Sequence, residues 1–255
     1  MLRTALLIFY LSCLLGACQQ PTRLRVAVAA NVQYVAQVLK QEFEKETGLT
    51  LELVVNSSGK ITAQVEQGAP YDVFLSADTK YPQALYLKGL TLGPPRVYGY
   101  GKLILWTTRP LDLRRPLPRL LAAVPGKVAI ANPETAPYGQ AALQALAYYG
   151  LKEATREKLV LGESVAQVNQ YILSGAVDLG FTAQSVVREP ALQGKGTWQE
   201  VDPKAYAPIA QSAVLLRTAG SRPAKEARQF FEFLFSLKAQ SIFRRYGYDP
   251  AAPAL

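Results

Sequence analysis

The chain has 255 residues, with 28 Lys and Arg against 19 Asp and Glu, no His and two Cys. Without His there is no Ser-His-Asp triad, no Cys-His pair and no His-containing zinc site, and two Cys cannot form a four-Cys site. A composition 49% apolar and 18% charged is that of a folded globular protein, long enough for one large domain or two lobes of roughly 100 residues each.

Arg3 and the apolar residues from Leu6 to Leu15 read as a secretory signal over 1–17, too short for a membrane span. The run closes on Leu15-Gly16-Ala17-Cys18, which resembles the bacterial lipobox. That resemblance implies diacylation of Cys18, a tether over 18–23, and a protein exported to the cell envelope, either periplasmic or on the outer face of the cytoplasmic membrane. The alternative is an ordinary signal peptide with an incidental Cys18. Cys13 would be removed with the signal, so stability must come from the core rather than from disulfides. The formal charge is +9, but Lys and Arg are scattered apart from Arg114, Arg115, Arg119, Arg244 and Arg245. No aromatic-basic motif accompanies them, so the reading is a solvated basic surface and no nucleic-acid partner.

Strand-like and helix-like segments then alternate. A strand over 24–29 precedes a helix over 32–46 whose Val35, Val38, Leu39 and Phe43 share one face, with Gly48 as its stop. A strand over 51–55, a helix over 61–67, a strand over 72–75 and a helix over 77–87 follow. This βαβαβα order predicts a parallel sheet with helices on its faces. After Pro94-Pro95, residues 97–107 read as one long strand. Gly99 and Gly101 inside it indicate a bend or close backbone approach. A basic, Pro-rich connection over 109–125 leads to a second alternation: strand 127–131, helix 138–149, strand 159–161, helix 165–173, strand 178–181. A strand over 213–216 and helices over 224–237 and 239–246 finish the chain. The expected domains are 24–98 with 210–255, and 99–209. Two chain crossings join these lobes, which form a hinged clamp around a cleft.

Four strand-to-helix turns carry small polar or helix-starting residues: Asn31; Asn56-Ser57-Ser58-Gly59; Pro137-Tyr138-Gly139; and Glu163-Ser164-Val165. Helix starts have unpaired N–H groups and a positive dipole end. In open α/β sheets such turns face the ligand crevice. Together they would cage an anion with neutral donors; singly, each is an ordinary cap or first-turn proline.

Further blocks make the pattern specific. They include Val26-Ala27-Val28-Ala29-Ala30-Asn31, Ser57-Ser58-Gly59-Lys60, Gln67-Gly68-Ala69-Pro70-Tyr71-Asp72-Val73-Phe74-Leu75-Ser76-Ala77-Asp78, Ala136-Pro137-Tyr138-Gly139 and Gly162-Glu163-Ser164-Val165. In order and spacing the chain resembles the molybdate/tungstate-binding proteins of bacterial ABC importers. The resemblance implies an α/β, two-lobed periplasmic-binding-protein fold of type II. Each lobe is then a mainly parallel sheet flanked by helices, with the ligand cleft between the lobes. It implies capture of molybdate or tungstate, no catalysis and no cofactor. Molybdenum or tungsten would be present only as the oxyanion, without direct protein–metal bonds. The implied partners are the permease of an ABC importer and, through the lipid, the membrane; the protein itself is expected to be a monomer. With Asn at the first turn and Pro-Tyr-Gly at the third, the chain resembles one subgroup of the family rather than the other, whose late Tyr position here holds Ala183. Carried over, the ligand-binding residues are Asn31, Ser58, Tyr138 and Val165, with Ala30 able to give only its backbone N–H. The phenol of Tyr138 is expected to meet the anion.

Other readings are sulfate, phosphate or a small organic anion on the same fold, an exported adhesion or signalling lipoprotein, and an exported carboxylate-based hydrolase. The last would draw on Glu66, Asp72, Asp78, Glu134, Glu163 or Asp178. Phosphate needs an acceptor for its O–H, for which Glu163 is the one carboxylate at the four turns.

Overall fold

The computed structural model describes residues 23–217 and 224–251. The signal, the lipobox with Cys18 and nearly all of the tether lie outside the described residues.

The first sheet begins with β1 (Leu24–Ala29), buried at all but one position, as a central strand with helices on both faces must be. A single 3-10 turn over Ala30–Val32 leads into α1 (Gln33–Thr47). Its Val35, Ala36, Leu39 and Phe43 are buried on one face. Gly48 stops it with φ 72°, a left-handed conformation that favours glycine. Then come β2 (Leu51–Asn56), α2 (Ser58–Glu66), β3 (Val73–Leu75) and α3 (Lys80–Leu87). Helix α2 starts three residues earlier than its apolar spacing predicts, because Ser58 and Gly59 join its first turn.

Residues expected as one strand over 97–107 form two. β4 (Arg96–Gly101) belongs to the first sheet and β5 (Leu103–Thr107) to the second, so the chain passes between the sheets at Lys102. The glycines mark close approach. A Cβ at Gly101 would collide with the Tyr138 hydroxyl and the Gln211 amide, and one at Gly99 would lie 3.2 Å from the Asp249 carbonyl.

The Pro-rich connection contains a helix the sequence reading did not anticipate, α4 (Leu117–Ala123). It starts behind Pro116 and buries Leu117, Leu120 and Leu121. The second lobe continues through β6 (Val128–Ala131), α5 (Pro137–Tyr148), α6 (Lys152–Thr155), β7 (Leu159–Gly162), α7 (Val165–Ser174), β8 (Leu179–Ala183) and α8 (Gln184–Val187). A further unanticipated strand, β9 (Thr197–Glu200), pairs antiparallel with β5 at the sheet edge. Three of its four residues are exposed, so it lacks the apolar pattern of a buried strand. β10 (Ile209–Leu215) returns to the first sheet, followed by α9 (Ala224–Phe233) and α10 (Leu237–Arg245).

The sheet orders are β2-β1-β3-β10-β4 and β7-β6-β8-β5-β9. In the first, β2, β1 and β3 pair in parallel and β10 runs against both β3 and β4. In the second, β7, β6 and β8 pair in parallel and β5 runs against both β8 and β9. The two lobes therefore share one topology without a sequence repeat, and in each sheet one strand opposes the other four. Among the described residues no helix is long and apolar enough to cross a membrane.

Candidate functional site

The helices after β1, β2, β6 and β7 all start at carboxyl ends of parallel strands, two from each sheet. Ala29, Ala30, Asn31, Ser57, Ser58, Ala77, Ala136, Pro137, Tyr138 and Val165 line one cavity of about 10 Å³. All five residues singled out from the sequence are among them. This small space excludes a drug-sized ligand, which needs roughly 300 Å³ or more. A cavity of about 350 Å³ lies instead in the second lobe beside Leu113, Arg114, Arg115, Tyr149 and Glu200. It contains none of the four helix starts, so the smaller cavity is the stronger candidate.

These helix starts share one local feature. The N-cap positions are Ala29, Ser57, Ala136 and Ser164, and none makes a side-chain capping bond. Two are alanines, which have no group to cap with, and neither serine hydroxyl caps its helix. The Gly59 N–H is taken by the Thr135 carbonyl and that of Gly139 by the Ala136 carbonyl, and first-turn N–H groups without such bonds are left for an occupant. The reading of Asn31 and of Ser57 or Ser58 as side-chain caps does not hold, whereas Pro137 is a first-turn proline. The lining includes no charged side chain, so positive potential at the cavity comes from oriented peptide dipoles.

The hydroxyls follow the same logic. Ser58 Oγ accepts a bond from the Ala77 N–H at 3.0 Å, which leaves its proton to donate elsewhere. Ser57 is 3% exposed, and its hydroxyl has no partner, so it is a further donor on the cavity wall. The sequence could not separate Ser57 from Ser58, since either could have been a cap. Pro137 sets the start of α5, and Gly139 packs so tightly on the Ala131 carbonyl that no Cβ fits.

Tyr138 is 2% exposed. Its hydroxyl accepts from Gln211 Nε2 at 3.0 Å and sits against Gly101, and neither of those residues lines the cavity. The phenol accepts on the side of the strands that join the lobes and, like the Ser58 hydroxyl, keeps its own proton to donate. Tyr138 also lines the cavity as part of the first turn of α5. Burial, then the neighbouring Tyr248 and Tyr206, hold its pKa well above the ordinary tyrosine value. Asn31, 1% exposed, donates from Nδ2 to Gln211 Oε1 at 2.8 Å. Its carbonyl accepts from Ser185 Oγ at 2.7 Å, a residue of α8 in the other lobe. Gln211, Tyr98, Ser185 and Tyr248 were missed in the sequence. They come from distant segments and carry no motif.

The lobes touch directly at the cleft mouth. Gly59 N donates to the Thr135 carbonyl at 2.9 Å, Tyr81 Oη to the Glu134 carbonyl at 2.7 Å, and Lys60 Nζ to Glu163 Oε2 at 2.6 Å.

Five of the six carboxylates a hydrolase would draw on are engaged elsewhere. Asp72 accepts from the Arg25 N–H and Asp178 from the Gly126 N–H. Asp78 accepts from Ser76 and the Tyr81 N–H. Glu66 pairs with Lys88, and Glu163 with Lys60. No acidic residue lines the cavity. Among the described residues there is also no cluster of three or more His, Cys, Asp or Glu that could hold a metal ion.

A family model described as bacterial extracellular solute-binding protein matches residues 24–249. The molybdate-binding protein ModA of Azotobacter vinelandii is 38% identical over 237 residues, covering 92% of this chain and 93% of that protein. ModA of Rhodobacter capsulatus is 36% identical over 223 residues, covering 87% and 86%. The solved structure of the Azotobacter vinelandii periplasmic molybdate-binding protein matches with a TM-score of 0.83 at 35% identity, covering 91% of this chain and 100% of that one.

Proposed function

This chain belongs to the bacterial extracellular solute-binding protein family, and from that premise we propose that it captures molybdate or tungstate outside the cytoplasm and delivers it to an ABC importer. One observation carries the reading: four helix starts without side-chain caps, two from each sheet, meet at one small cavity that no charged side chain lines. Such a cage suits a tetrahedral dianion. Each oxygen accepts from N–H and O–H groups, and hydrogen bonds to a charged partner are worth roughly 1.5–3 kcal/mol each. The donors are Asn31, Ser58, Tyr138 and Val165, with Ala30 contributing through its backbone.

Monohydrogen phosphate fits less well. Its O–H needs an acceptor, and Glu163 is held by Lys60. Sulfate has the charge and shape of molybdate, so cavity size alone separates them. The ligand spans both lobes, so it binds the closed form better and shifts the population toward it. The protein acts as a monomer without a cofactor, tethered by a lipid on Cys18.

Isothermal titration with molybdate, tungstate, sulfate and phosphate tests the function. The expected result is one site per chain, with molybdate and tungstate well ahead of sulfate and phosphate. Absence of heat and of any melting-temperature rise with the first two would overturn the proposal.

A further inference from the structure

We propose that Gln211 is a positioning residue for the oxyanion site, holding one cavity-lining residue from each lobe with a single side-chain amide. The proposal rests on the cavity being an oxyanion site.

Gln211 is fully buried on β10, the strand that carries the chain back between the lobes. It pairs with Gly99 of β4, and the register shifts between Gln211 and Ser212. Oε1 accepts from Asn31 Nδ2 at 2.8 Å, and Nε2 donates to the Tyr138 hydroxyl at 3.0 Å. Asn31 belongs to the helix start after β1, and Tyr138 to that after β6. The amide therefore bridges the two lobes directly behind the cavity wall.

The surroundings leave this amide little freedom. Tyr98 stacks on Phe243 with ring centroids 4.8 Å apart. Its hydroxyl lies 2.8 Å from the Ser76 carbonyl and 2.9 Å from Gln211 Oε1. The lack of a side chain at Gly101 makes the room in which the amide meets the phenol. A glutamine supplies an acceptor and a donor on one planar group. Glutamate lacks the donor and methionine lacks both. A buried amide left without a partner is costly, so the arrangement that satisfies Gln211 is the one with Tyr138 docked from the second lobe. That same docking places the first turns of both helices against one occupant.

The test is a double-mutant cycle on molybdate affinity with the full chain. Gln211→Met is expected to weaken binding at least tenfold. In a Tyr138→Phe background the same change is expected to cost clearly less than it does alone, because the contact to Tyr138 is already gone and only that to Asn31 remains to be broken. Equal losses in the two backgrounds would overturn the proposal, since Gln211 would then act through packing alone. If Gln211→Met does not fold by circular dichroism, Gln211→Glu is read in the same cycle, since it keeps the acceptor and removes the donor. Wild-type affinity in Gln211→Glu would likewise overturn it. A wild-type chain that does not bind molybdate overturns the oxyanion reading together with this proposal. Binding with equal losses overturns this proposal alone.

Discussion

Lys60 Nζ lies 2.6 Å from Glu163 Oε2 across the mouth of the cleft, one residue from each lobe and each adjoining a helix start that lines the cavity. These two charged groups adjoining the turns are thus paired with each other, and neither lines the cavity. Both side chains are substantially exposed, 39% and 71%. Solvent screens such a pair, and exposed ion pairs contribute about 0–1 kcal/mol. Lys60→Ala is expected to weaken molybdate binding by less than about fivefold. Its affinity should vary less with salt than that of the parent. Titration calorimetry at low and high ionic strength measures both, and a loss of a hundredfold would place Lys60 on the ligand.

Gly59 is the sharper contact. A Cβ there would lie 2.9 Å from Thr135 Cα, across the closed cleft. Backbone does not yield as a flexible side chain would, and overpacking of this kind costs about 1–3 kcal/mol. Within α2 itself, alanine is a better helix former than glycine by about 1 kcal/mol. Gly59→Ala should therefore leave the ligand-free melting temperature equal or slightly higher, while molybdate affinity falls roughly tenfold. Unchanged affinity would mean that Gly59 and Thr135 do not meet in the bound form.

Binding should be flat in pH between about 6 and 9. The phenols behind the cavity, Tyr98, Tyr138 and Tyr248, have pKa values raised chiefly by burial, and the chain has no His. The same shifts set an alkaline limit. Unfolded phenols ionise near about 10, while the folded ones keep their protons to higher pH. Their contribution to stability is complete below that value and is lost as pH rises beyond it. Affinity measured across pH 6 to 9 and melting temperatures continued above pH 10 check both parts. An affinity midpoint near neutrality would reveal a titrating group at the site.

Replacing Cys18 by Ser is expected to release the protein from the membrane into the soluble exported fraction. The motive is Leu15-Gly16-Ala17-Cys18. Fractionation followed by mass spectrometry decides the matter, and a wild-type protein found soluble and without acyl chains would count against the anchor.

Local chemistry alone determined much of this protein. The period-3.6 face of Val35, Leu39 and Phe43, the stop at Gly48 and the alternation of strands with helices specify two α/β lobes. Asn31, Ser58, Tyr138 and Val165 stand at helix starts because short-range signals place them there. Where a segment lacked its own signal, the reading failed. Gly99 and Gly101 marked a bend within 97–107, but β-propensity there does not place the break at Lys102, which follows from the separate partners that β10 and β8 offer to β4 and β5. Strand β9 forms on an exposed edge for want of another partner to β5. Only the tertiary structure decided that the Ser58 hydroxyl is bonded to the Ala77 N–H while the Ser57 hydroxyl has no partner, and that the Tyr138 phenol accepts from Gln211. Contacts such as Asn31 to Gln211, 180 residues apart, depend on how two lobes and a joining strand are placed in space. A hydrogen bond at that separation leaves no periodicity in the chain, because its geometry is set by the packing of whole sheets rather than by the neighbours of either residue.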